Sequence, residues 1–197
     1  MLEVSPHVFQ VGPVVITDDD LYEFCRANRD LRLERTPNGE IVAMPPADGV
    51  SGSRSAAIGC ALREWAGRNR SGVSFSSTTG FILPNGAMRA PDASWVLRSR
   101  LAELTAHQKQ KFLPLAPDFV VELRSPSDRL TDLQAKMDEY VANGVRLGWL
   151  IDPISGEVHV YQPGQAPAVL AGPAAISGDP VLSGFVLDLT LIWDPGF

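Results

Sequence analysis

The stretch PDFVVELR, from Pro117 to Arg124, carries a strand's apolar run with an acid and a base at its far end. Alternate residues of a strand face opposite ways, so Phe119, Val121 and Leu123 form one apolar face while Val120, Glu122 and Arg124 share the other. Charges are rarely placed on a half-buried strand unless they are paired or bind something, because desolvation is costly. Two explanations fit these residues. Glu122 and Arg124 pair on a partly solvated face, or they belong to a metal or catalytic site.

Working outward, Ser125-Pro126-Ser127-Asp128 is turn chemistry and a helix start. Leu130, Leu133, Met137, Tyr140 and Val141 then make one apolar stripe, and Asn143-Gly144 supplies the stop. Lys136 falls at the margin of that stripe, where its methylene stem can lie along the core while the ammonium reaches a polar site at the sheet. Arg146 to Ile151 and Glu157 to Tyr161 form a strand pair, and one or two short elements between Val181 and Trp193 close the chain. The apolar run Phe185 to Trp193 reads as core, with a dimer contact as the alternative.

Upstream, Pro91 holds its surroundings extended and sets Asp92 at the beginning of a strand that continues through Trp95 and Leu97. An isolated Pro-Asp most often just caps a turn. Thr17 and three aspartates start a short helix, and Leu31–Thr36 and Glu40–Met44 alternate as a hairpin around Asn38-Gly39. Glu34 and Glu40 on that hairpin are expected to face solvent, though either could lean into a site. Helical spacing runs from Ser53 to Asn69, followed by short strands at Val73–Ser77, Gly80–Leu83 and Ala87–Arg89. Helix, strands, helix, strands is an α/β or α+β layer arrangement.

At 197 residues and 45% hydrophobic, the chain is long enough to bury a full core and is expected to form a single domain over residues 1–197, its core about 17–193. It has neither a secretory-type start nor 18 consecutive apolar residues, which points to a soluble, cytoplasmic protein without a membrane partner. Cys25 and Cys60 lack metal-ligand spacing and read as reduced core thiols. A net charge of −6 argues against broad attraction to nucleic acid but leaves room for local basic surfaces. Two segments qualify: Arg54 to Arg70, and Arg98, Arg100, Lys109 and Lys111 on a helical, partly exposed stretch. Such runs are usually solvated helix faces.

Pro91-Asp92, then Glu122-Leu123-Arg124, then a helix bearing Lys136, resembles the bipartite motif of the PD-(D/E)XK nuclease superfamily. More specifically, ELRSPSD at Glu122–Asp128 with LQAKMDEYVANGVRLGWLIDP at Leu133–Pro153 resembles the Uma-type family of candidate bacterial restriction endonucleases, formerly a domain of unknown function. The similarity runs from about Thr17 to the C-terminus. It implies a restriction endonuclease-like core, a mixed central β-sheet flanked by helices, here with an N-terminal β-hairpin extension.

The implied activity is metal-dependent hydrolysis of DNA phosphodiester bonds with Mg²⁺ or Mn²⁺. Asp92, Glu122 and the Leu123 carbonyl would be the ligands, an oxygen set that suits a cation keeping several waters. The superfamily's lysine follows the glutamate by two residues, and here Arg124 stands in its place. Arginine stays protonated, so it can stabilise charge but not act as a base; Lys136 is the candidate to share or take over the role. The basic residues Arg98, Arg100, Lys109 and Lys111 are candidate DNA backbone contacts. Cutting both strands with one site per chain suggests a homodimer. The alternative is a noncatalytic DNA-binding or interaction protein that keeps the nuclease fold. A glycosidase built on Asp92 and Glu122 fits poorly, for no aromatic sugar platform is evident.

Overall fold

A computed structural model describes residues 7–9 and 16–197, with side chains from Ile16 onward. In chain order its elements are β1 (His7–Phe9), α1 (Asp18–Ala27), β2 (Arg32–Arg35), β3 (Ile41–Met44), α2 (Gly49–Asn69), β4 (Gly72–Ser76), β5 (Phe81–Ile82), β6 (Met88–Arg89) and β7 (Ala93–Leu97). There follow α3 (Arg98–Ala102), a 3-10 turn at Gln108–Gln110, β8 (Phe119–Leu123), α4 (Leu130–Ala142), β9 (Leu147–Asp152), β10 (Glu157–Tyr161), β11 (Ala168–Ala171), β12 (Ala175–Ser177), β13 (Val186–Asp188) and α5 (Thr190–Trp193).

PDFVVELR supplies β8, at the middle of a six-stranded sheet ordered β11-β10-β9-β8-β7-β4. Its neighbours are β7, antiparallel, and β9, parallel. A parallel pair needs a crossover, and α4 provides it, lying over β9 and β10. On the opposite face α2 packs against β4, β7, β13 and α5. Both faces of β8 are therefore covered. Phe119, Val121 and Leu123 join Ile58, Leu62, Trp65, Trp149 and Phe185 on the α2 side, and Val120 joins Met137, Tyr140 and Leu150 on the α4 side. Alternation assigns the two faces correctly, but neither is solvated, so Glu122 is buried rather than at a wet surface.

The segment Phe185 to Trp193 alternates: Phe185, Leu187, Leu189 and Ile192 fill the core on the α2 side, with the Phe185 ring stacked on Trp149 at 5.8 Å, while Val186 and Leu191 face solvent. Cys60 departs from its expected burial. Ile58 and Leu62 face the sheet, and Cys60, two positions from each, is carried ~200° round the helix and out to solvent, while Cys25 is half-buried.

The hairpin β2–β3 turns at Gly39, where φ is +87°, and belongs to a second sheet ordered β1-β3-β2-β6-β5. More than an appended hairpin, this sheet reaches the central one. On β2, Leu33 packs with Leu21 of α1, and Arg35 pairs with Asp18. Thr17 and Asp20 close a reciprocal capping box on α1, as its sequence predicts. Arg32 and Glu34, the alternate residues, face the other way, towards the end of β8. Among the described residues no helix is long and apolar enough to cross a membrane.

Candidate active site

Ala93 pairs with Val121 across the antiparallel β7–β8 ladder, so the next step outward sets Asp92 beside Glu122 at one end of the sheet. Asp92 is anchored there: its Oδ2 accepts a hydrogen bond from the Leu123 N–H at 2.9 Å. Glu122 receives two donors on Oε1, the Tyr140 hydroxyl and the Lys136 ammonium, each at 2.9 Å. Both come from α4, one turn apart, as i,i+4 spacing requires. Lys136 also reaches Glu34 Oε1 at 2.8 Å, and so lies between a carboxylate of the central sheet and one of the second sheet.

Glu34 is 3% exposed and shared: Arg89 donates to it at 3.0 Å and the Ala90 N–H at 3.0 Å. Arg89 binds Glu139 of α4 at 2.6 Å, closing a chain of alternating charges, Glu139–Arg89–Glu34–Lys136–Glu122. Its ionisation follows from position. Burial would favour a neutral Lys136, but Glu122 and Glu34 outweigh it and hold the ammonium charged, with its pKa raised. Burial also works against an ionised Glu34, yet Lys136 and Arg89 reverse it and lower that pKa. Glu122 ends differently. Burial pushes its carboxyl up to about 7; Lys136 opposes the rise, and the charges of Asp92 and Glu34 add to it. Burial raises Asp92 as well, against the Leu123 hydrogen bond. The end of the sheet thus holds two carboxylates whose charged form is disfavoured chiefly by desolvation.

They open on a cavity of about 160 Å³ bordered by Arg32, Asp48, Ser51, Glu122, Leu123 and Lys136, with Asp92 and Asp128 also on its wall. Asp48 caps the N-terminus of α2, accepting from the Ser51 N–H at 2.9 Å. The donor set suits a hard divalent cation: two carboxylates, with Leu123 beside them. Among the described residues no three of His, Cys, Asp and Glu gather closely enough to cage a metal, so a cation here would keep most of its shell as water.

Of the residues singled out from sequence, Asp92, Glu122, Leu123 and Lys136 come together at this cavity. Arg124 does not. Its guanidinium turns to Asp152 at the end of β9, 2.7 Å away, and its Nε to the Asp128 carbonyl. The pairing Glu122–Arg124, one of the two explanations for the strand, is absent because β9 offers a fully buried partner. Arg98 and Arg100 lie at the other end of the sheet, and Lys111 lies against α1. Arg98 follows β7 where Asp92 precedes it; Arg98 donates to the Arg70 carbonyl, Arg100 pairs with Asp118 and Lys111 with Asp19. Lys109 lies in the 3-10 turn, two residues before Lys111. On α2, Arg54 is committed to the carbonyls of Ile192 and Trp193.

Glu34, expected at the surface, is instead a central member of the network, and Arg32 and Arg89 had no signal beyond ordinary strand composition. The pattern RLER does set Arg32 and Glu34 on one face. Which surface that face meets depends on how the second sheet folds over the first.

Two comparisons with known proteins bear on this arrangement. The model of the Uma2 family, described as "putative restriction endonuclease", matches residues 18–190. Among solved structures, the fold is similar to that of a putative nuclease belonging to DUF820 from Anabaena variabilis. The two share 21% identity with a TM-score of 0.70, covering 82% of this chain and 89% of the other. At that identity the likeness speaks for the fold. No curated protein matches the chain.

Proposed function

Because this chain belongs to the Uma2 family of putative restriction endonucleases, we propose that it is a metal-dependent endonuclease that hydrolyses DNA phosphodiester bonds at the Asp92–Glu122 cavity. The observation that carries this reading is the meeting of two carboxylates, the buried Glu122 and the half-buried Asp92, at one cavity beside a held ammonium. Asp92 and Glu122, with the Leu123 carbonyl, would hold Mg²⁺ or Mn²⁺. The cation would supply Lewis acidity towards the phosphate oxygens and towards an attacking water.

The chain's own residues do the rest. The Leu123 N–H fixes Asp92, and the Tyr140 hydroxyl fixes Glu122, so both carboxylates present their remaining oxygen from a set position. Lys136, kept charged by its two carboxylates, is an electrostatic group and a donor to substrate oxygen or water; its raised pKa suits it poorly to work as a base. Arg124 holds the end of β8 to β9 and acts on structure. With one site per chain, cutting both strands calls for two copies.

Cleavage of supercoiled plasmid with Mg²⁺, Mn²⁺ or Ca²⁺ tests this, comparing the native protein with Glu122→Gln and Lys136→Ala. Nicking that needs Mg²⁺ or Mn²⁺ and is lost in both variants is the expected result. Cleavage that survives Glu122→Gln would refute the site. DNA binding without cleavage, indifferent to metal and to Asp92→Ala, would instead favour a noncatalytic binder on the same fold.

A further inference from the structure

Arg32 is the cation of the site that the charge network leaves over. Lys136 and Arg89 each bridge two carboxylates at 3.0 Å or less, whereas Arg32 approaches Asp92 only to 3.8 Å and makes one long hydrogen bond, 3.3 Å, to the Ser77 carbonyl. Its Nε is buried with no acceptor, and among the described residues no acceptor meets its Nη1. Burying a guanidinium donor without a partner is costly, so this side chain has hydrogen-bonding capacity that the protein leaves unused. Its side chain is still 32% exposed and borders the cavity that Asp92 and Glu122 line.

The position is defined by the backbone. Arg32 and Glu34 stand two apart on β2, hence on one face; Glu34 is drawn inward to Lys136, and Arg32 is left at the rim. A second cavity, of about 230 Å³, adjoins the first and shares Arg32, Met44 and Ala90 with it, and Arg29 and Thr78 continue its wall. Arg32 therefore stands where two cavities meet, one acidic and one largely apolar with Arg29 on its wall. A guanidinium fork matches two oxygens of a phosphodiester, and its charge survives at any working pH.

We propose that Arg32 is a substrate-binding residue that takes a backbone phosphate of the nucleic acid at the junction of the two cavities, with the flanking nucleotide in the Arg29–Thr78 cavity. The proposal rests on the nuclease reading and adds to it where the strand lies: across β2, on the side of the second sheet. It places the phosphate path away from Arg98 and Arg100, which are engaged at the far end of the sheet. The competing role for Arg32 is that of a counter-ion to Asp92 and nothing more.

The two roles differ in what Arg32→Gln changes. Affinity for a fluorescent double-stranded oligonucleotide is measured with Ca²⁺ present over a range of salt, Ca²⁺ affinity is measured separately without DNA, and thermal unfolding confirms that each variant is folded. A phosphate contact predicts that Arg32→Gln weakens DNA binding about ten-fold and lowers the slope of log K against log salt by about 1, with Ca²⁺ affinity undiminished. Arg32→Lys keeps the charge without the fork, so it should restore the salt slope and only part of the affinity. Unchanged DNA affinity and slope in Arg32→Gln, with Ca²⁺ affinity altered, would leave Arg32 as a counter-ion and overturn the proposal while the nuclease reading stands. Native protein that binds Ca²⁺ but no DNA under any of these conditions would overturn both.

Discussion

Replacing Glu34 by glutamine tests whether the charge chain is the element that joins the two sheets. The side chain is 3% exposed, pairs with Lys136 at 2.8 Å and Arg89 at 3.0 Å, and accepts from the Ala90 N–H at 3.0 Å. Glutamine keeps the shape and one carbonyl oxygen, so the Ala90 hydrogen bond can persist, but the charge between two buried cations is gone. Removing one member of a buried pair costs about 3–5 kcal/mol. Lys136 retains Glu122 and Arg89 retains Glu139, so the loss belongs at the lower end, about 3 kcal/mol. The pH dependence has a definite sign. Glu34 has its pKa lowered on folding, so its contribution is present above the ordinary value of 4.5 and is lost as pH falls through the lower folded value. In urea unfolding the gap between native protein and Glu34→Gln should therefore be full at pH 7 and shrink well below pH 4.5, with the urea slope unchanged. The double variant Glu34→Gln/Lys136→Met should lose less than the sum of its parts. A gap under about 0.5 kcal/mol at pH 7, the size of an ordinary surface change, or one independent of pH, would refute the reasoning.

Three further outcomes follow from the same geometry. Since burial lifts Glu122 to about 7 and raises Asp92, protons compete for the cation site; Ca²⁺ affinity measured by calorimetry should be full near pH 8 and fall as pH drops through 7, and a flat profile down to pH 5.5 would contradict it. Arg124→Ala should destabilise the fold by about 1.5–3 kcal/mol, because it leaves the buried Asp152 carboxylate with only the Ile154 and Ser155 N–H groups, yet leave Ca²⁺ affinity where it was; a loss of cation binding in a folded variant would return Arg124 to the site. Gly72→Ala puts a methyl group into the Trp95 ring and the Val96 carbonyl, and should cost about 1–3 kcal/mol in thermal unfolding, since the carbonyl belongs to a paired strand and cannot give way.

The local part of this protein is written in its sequence, because alternation and helical spacing depend only on neighbours. The two faces of β8, the apolar stripe of α4, the Asn38-Gly39 turn and the Thr17 cap can all be read that way, whereas the meeting of Asp92, Glu122 and Lys136 is implied only by the family resemblance. Tertiary structure decided the partners. A carboxylate on a hairpin has no preferred surface until that hairpin folds against something, so Glu34 looks solvent-facing in sequence and becomes the buried link to Lys136 only when the second sheet closes over the first. In sequence Arg124 stands where the motif lysine would share the site, and it is β9 that draws it to Asp152, a contact that depends on the parallel register of β8 and β9. The cation left without a full partner, Arg32, is identified only by subtraction, after Lys136, Arg89 and Arg124 have found theirs. Short-range geometry sets which way a side chain points; long-range packing sets what it meets.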